Sequence, residues 1–73
     1  MEYWASPWLL SFDQLERGMK RPEVRELLGP PSIMEIIPTG AVGSVWEYHH
    51  AFRLKVYYVT FDRRGRMLSR YVQ

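Results

Sequence analysis

Apolar residues change their spacing part-way along the chain. In the first part they recur at helical intervals. Val24, Leu27 and Leu28 stand at i, i+3 and i+4 and form one stripe. Pro22 fits a first helical turn, where its missing N–H breaks no bond, and Glu23 puts negative charge near the positive end of the helix dipole. Gly29 suits a left-handed residue after the last turn, and Pro30-Pro31 forbids continuation. These signals predict a compact helix closed at both ends. Upstream, Ser11-Phe12-Asp13-Gln14 predicts another helix start, with Ser11 as N-cap and Gln14 in the reciprocal position. Phe12 and Leu15 face inward, Arg17 sits in the last turn and Gly18 ends it. Met19 and Lys20 make a tight corner between the two helices.

From Ser32 onward the period is two. Ser32–Ile37 predicts a strand stopped by Pro38, followed by a glycine-containing loop to Gly43. Ser44–His50 predicts a second strand, with Trp46 and Tyr48 on one face and Val45, Glu47 and His49 on the other. Ala51-Phe52-Arg53 turns the chain into a third strand, Leu54–Phe61. Asp62-Arg63-Arg64-Gly65 is a hairpin turn, with Asp62 placed to bond local backbone N–H groups. Arg66–Val72 returns as a fourth strand, with Met67, Ser69 and Tyr71 on one face and Leu68 and Val72 on the other. The expected fold class is α+β: two short N-terminal helices packed on one face of a three- to four-stranded antiparallel β-meander. The third strand is apolar on both faces, with Tyr57, Val59 and Phe61 on one and Leu54, Val56 and Tyr58 on the other. Its second face therefore needs a cover. The candidates are the aromatic N-terminal segment, residues 1–10, or a second protomer. Residues 11–73 are expected to form a single domain.

Composition narrows the means of stabilising so small a core. Among 73 residues there is no cysteine, which excludes disulfides and thiolate metal sites. Aromatic residues make up 15% of the chain, so dense ring packing or self-association must supply the help. No apolar run approaches the ~18 residues of a membrane span. Met1 to Leu10 lacks a basic leader, so the expected location is cytoplasmic as written, or periplasmic and outer-membrane-associated if a leader is removed. The net charge of +2 is unevenly placed: residues 1–50 carry four basic and seven acidic side chains, residues 51–73 six basic and one acidic. Such a split permits an anionic partner, a lipid headgroup or a second copy of the chain.

Candidate chemistry is sparse. His49 and His50 are adjacent in a strand and point to opposite faces, so they are not read as sharing a metal. No nucleophile elbow, catalytic triad context or glycine-rich phosphate loop is present. Neither an enzyme, a metal site nor a cofactor is expected. Glu23 and Glu26, with Arg21 and Arg25, read as a solvated helix face. Trp46 and Tyr48 read as core. Arg53, Lys55, Arg63, Arg64, Arg66 and Arg70 lie near tyrosines and could contact phosphate while rings stack on bases, although charge at a hairpin tip also serves solubility.

Two sets of residues point to a family. Gly18-Met19, Val24 and Leu27-Leu28-Gly29-x-Pro31 resemble the helical half of the SmpA/OmlA (BamE-like) outer-membrane assembly lipoproteins. Trp46-x-Tyr48 and Val59-x-Phe61-Asp62-x-x-Gly65-Arg66 are similar to its sheet half. The resemblance covers residues 11–72, without the family's signal peptide or lipid-bearing cysteine, and with Lys20 where a Thr or Ser cap is usual. It implies two helices on an antiparallel sheet and a non-enzymatic scaffold that binds a protein partner, with a homodimer and an anionic lipid headgroup as further candidates. The residues expected to meet a partner are Trp4, Trp8, Arg53, Tyr57, Tyr58, Arg63, Arg64, Arg66 and Arg70. The alternative is a small cytoplasmic regulator, phage- or plasmid-borne, that uses the arginine cluster on nucleic acid or an acidic protein.

Overall fold

The computed structural model describes residues 11–49 and 55–73. These form a 3-10 turn, Phe12–Gln14, one α-helix, α1 (Arg21–Leu28), and four strands: β1 (Ile33–Ile36), β2 (Val42–His49), β3 (Val56–Asp62) and β4 (Met67–Val72). The strands make one antiparallel sheet in the order β1-β2-β3-β4. The fold is α+β, with the meander as expected; among the described residues there is one α-helix, and Phe12–Gln14, expected as part of a first helix, is a 3-10 turn.

Ser11 makes no capping bond through its side chain, and the turn closes after three residues with the Leu15 N–H donating to the Phe12 carbonyl at 3.4 Å. The Arg70 guanidinium also donates to the carbonyls of Phe12 and Leu15, at 2.6 and 3.3 Å. The Arg70 cation also lies over the Phe12 ring, 5.6 Å from its centroid. Phe12 and Leu15 still face inward, each 6% exposed.

In α1, Val24 and Leu28 are buried and Leu27 packs against them, as the stripe predicts. At its start, Lys20 cannot accept a hydrogen bond, but its own N–H donates to the Glu23 carboxylate at 2.7 Å, half of a capping box. At its end Gly29 has φ +82° with an extended ψ of −174°, so the chain leaves without a left-handed turn. The Gly29 N–H still returns to the Arg25 carbonyl, and the Tyr48 hydroxyl donates to the Gly29 carbonyl at 2.8 Å. That bond ties the helix end to the middle of β2. Burial pushes the Tyr48 phenol up to about 12, against a smaller lowering from Arg25.

The core lies between α1 with the 3-10 turn and one face of β2–β4. Trp46, Tyr48, Tyr57, Val59, Phe61 and Met67 line it. Trp46 and Phe61 pack with ring centroids 4.7 Å apart, and Phe12 meets Tyr57 edge-on at 5.1 Å. Strict alternation fails in two places. The β3–β4 register passes from Thr60↔Ser69 to Phe61↔Met67, so Leu68 is an extra residue in a bulge. Met67 is therefore in the core, whereas Ser69 and Tyr71 lie on the outer face, and the expected common face is split. A second register shift falls between Val42 and Ser44. There Gly43 packs against the opposite hairpin: a Cβ would lie 2.9 Å from both the Arg63 Cα and the Asp62 carbonyl oxygen.

Two expected outcomes follow from this packing. Gly43→Ala forces backbone apart where β2 meets the β3–β4 hairpin and destabilises the domain by about 1–3 kcal/mol, read by urea unfolding. Tyr48→Phe costs about 1 kcal/mol through the lost bond to Gly29. The folded phenol titrates above its unfolded value, so its contribution is complete below about pH 10 and is lost as pH rises toward 12. Ultraviolet titration of the phenolate, compared with that of the variant, checks the second outcome.

Candidate functional site

The sheet has two edges, and they are treated differently. Along β4, the connector before α1 adds backbone pairing. The Gly18 N–H donates to the Met67 carbonyl at 2.8 Å, the Met67 N–H to the Met19 carbonyl at 2.7 Å and the Arg21 N–H to the Gly65 carbonyl at 3.2 Å. Lys20 and Arg66 form an isolated bridge. The edge formed by β1 has no such cover among the described residues, and all four of its residues are exposed.

Register shows which β1 side chains look toward the helical layer. Met34 pairs with Trp46 and Ile36 with Ser44, both of which face the core. Met34 and Ile36 thus lie on the apolar face of the sheet, yet they are 63% and 84% exposed. With Arg21, Glu35, Ser44 and Trp46 they line a shallow cleft between the start of α1 and the sheet edge.

One end of this cleft is cationic. Arg21, read from the sequence as part of a solvated helix face, turns inward instead. Its guanidinium donates to the Ser44 hydroxyl at 3.2 Å and stands over the Phe61 ring at 5.6 Å. It also packs against Gly65, where a Cβ would come within 2.7 Å of Nη1, and φ of +83° there excludes most side chains in any case. Arg63 reaches across to the β1–β2 loop and donates to the Gly40 carbonyl at 2.9 Å. Arg64 and Arg66 are exposed on the hairpin. Asp62 accepts the N–H groups of Arg64 and Arg66, both at 2.9 Å, in the turn role expected of it. Chiefly the Arg66 N–H, with that of Arg64 and the two arginine charges, holds its carboxyl below the usual range.

Those of the expected partner-binding residues that are described lie on different parts of the fold. Trp4, Trp8 and Arg53 lie outside the described residues. Tyr57 is buried under Phe12, and Arg70 is tied to the 3-10 turn. Tyr58 lies on the outer face, stacked on Tyr71 with centroids 4.7 Å apart. Partial burial, with Glu47, Tyr71 and Glu35 nearby, pushes its phenol up. Arg63, Arg64 and Arg66 do share the hairpin end. The apolar edge Met34–Ile36 was missed, although the β-branched run Ser32–Ile37 between prolines was its signal. Among the described residues no three His, Asp or Glu side chains gather as a metal site, and no helix is long and apolar enough to cross a membrane.

No family model and no curated protein matches the chain. A solved crystal structure does match: a protein provisionally assigned as the osmotically inducible lipoprotein OsmE. It superposes with a TM-score of 0.71 at 22% identity, over 96% of this chain and 78% of that one. The fold is therefore an OsmE-like α+β fold, consistent with the BamE-like architecture that the sequence resembles.

The Asp62 geometry has a pH consequence. Its folded carboxyl titrates below the unfolded value of about 3.9. The stability it contributes is complete above that value and is lost as pH falls through the folded pKa. In acid unfolding measured by circular dichroism, Asp62→Asn removes this contribution to the acid limb.

Proposed function

We propose that this chain is a non-enzymatic protein-interaction module, a scaffold of the BamE/OsmE-like kind. The observation that carries this reading is the open β1 edge. An exposed apolar strand is a liability that folded proteins blunt or use, and here, among the described residues, the connector pairs the start of the opposite edge while nothing pairs this one. The OsmE-like fold supports an adaptor role at the family level, and the lipoprotein neighbour supports a setting at the cell envelope. The partner surface is Met34 and Ile36 together with the cationic end at Arg21, Arg63, Arg64 and Arg66.

The second reading, a regulator that binds nucleic acid, draws on the same cations, since none of the described lysines or arginines is spent on a carboxylate. A single-strand binder also needs rings beside its cations. The stacked Tyr58–Tyr71 pair lies on the outer face, on the opposite side of the sheet from the cleft that Arg21 lines. This separation favours a protein partner.

Photo-crosslinking in cells tests the proposal. A photoreactive residue at position 36 captures a discrete protein, and the same residue at the exposed position 17 does not. Equal capture at both sites, or none at 36, overturns the reading. Ile36→Lys abolishes capture at a photoreactive residue placed at 34, while unfolding stability stays within about 0.5 kcal/mol.

A further inference from the structure

We infer that the β1 edge takes up a short, extended, acidic segment of a partner protein as an added strand, with a carboxylate of that segment seated on Arg21. This rests on the interaction reading above and names its chemistry.

Three observations combine. First, an edge strand offers one unpaired row of backbone N–H and C=O groups, which an extended peptide satisfies by strand addition. The connector pairs β4 only at its hairpin end, whereas β1 is unpaired along its length among the described residues and carries the exposed Met34 and Ile36 beside Arg21. Second, alternate side chains of an added strand fall on the same face as Met34 and Ile36. There they meet exposed apolar surface continuous with the edge of Trp46 in the cleft. Third, the cleft holds a guanidinium with unspent donors. Arg21 has five N–H groups, and the one side-chain bond it makes among the described residues goes to Ser44. It is half-buried and stacked on Phe61, so its fork is held in place before a partner arrives.

The charges around the cleft set the sign of the partner. Lys20, Arg63, Arg64 and Arg66 stand on the connector and hairpin near Arg21; among the described residues none makes a salt bridge to a carboxylate, while the charges of Arg64 and Arg66 act on Asp62. Of the nearby acids, Asp62 is committed to the hairpin N–H groups and Glu23 to the start of α1. Glu35 is part of the cleft's rim, but its register with Val45 and its charge acting on Tyr58 put its carboxylate on the opposite face of β1. A carboxylate arriving on the Met34–Ile36 face therefore meets cations, and a lysine there meets repulsion. The strand is built for apolar–x–apolar–x–acidic order on one face of the incoming segment.

The test is a titration of the full chain with a blocked peptide of about six residues, alternating Val and Thr, with one Glu on the Val face. Backbone amide shifts are followed by NMR. The expected shifts fall on Ile33–Ile36, Arg21, Ser44 and Trp46, and Ile36→Lys removes them. Arg21→Gln weakens binding about tenfold, as does Glu→Gln in the peptide, and the two together cost no more than either alone. A Lys-for-Glu peptide binds at least tenfold more weakly than the Glu peptide. Equal affinity for the Glu and Lys peptides overturns the proposal, as do shifts confined to the Tyr58–Tyr71 face. Concentration-dependent shifts at β1 without peptide assign the edge to a second copy. Shifts at Met34 and Ile36 on Trp4→Ala/Trp8→Ala assign it to the chain's own N-terminal residues. Shifts with anionic vesicles but not with peptide assign it to a membrane. Each of these also overturns the proposal. Capture at position 36 in cells without peptide binding would defeat strand addition alone, whereas loss of both would defeat the interaction reading as well.

Discussion

Among the described residues a single short helix and a 3-10 turn cover a four-stranded sheet, and this mismatch shapes the rest of what they form. Eight residues of α-helix extend about 12 Å. Four strands place their outer members about 14 Å apart, before side chains are counted. The helix and the 3-10 turn settle over β2, β3 and β4, where the large rings are. Tyr48, Val59 and Phe61 are sealed almost completely beneath them. Among the described residues the first strand receives no lid. Its inward-facing Met34 and Ile36 are exposed although the alternation of the strand is intact.

The connector makes the asymmetry firmer. Gly18 to Arg21 runs along the start of β4 and joins it through backbone bonds, so the helix is anchored at the hairpin end. Arg21 then reaches from the first turn of the helix over Phe61 to Ser44, and Tyr48 fastens the other end of the helix at Gly29. With both ends held, the helix cannot slide toward β1 to cover it. The same anchoring sets a cation beside the open edge, and this places polar and apolar recognition within one cleft.

Much of this was legible in the chain. The stripe Val24, Leu27, Leu28, the prolines and Gly29 mark the helix, and alternation through Trp46, Tyr48, Tyr57, Val59 and Phe61 marks the core face of the sheet. Local rules also found the Asp62 turn, because its partners lie two and four residues away. What stayed hidden depends on partners far along the sequence. The segment from Phe12 reads as a helix, but it closes as a 3-10 turn whose carbonyls also accept from Arg70, more than fifty residues on. Met67 was placed with Ser69 because a bulge leaves no mark in a two-residue period. Arg21 reads as solvated until Ser44 and Phe61 are seen beneath it. The candidate site suffered most, since exposure of an apolar strand follows from what fails to cover it, and no residue in that strand records the failure.

Pro31 and Pro38 bracket β1, which is four residues long and gains one further backbone bond to β2 at each end, from Ser32 and Ile37. Proline has no N–H to extend a ladder in either direction. A ladder of about 13 Å admits few rungs, and any occupant gains little from length. Residence is then brief, and exchange between competing occupants is fast. The same brackets limit how far one edge strand can pair with another, a means by which folded proteins blunt edge-to-edge stacking.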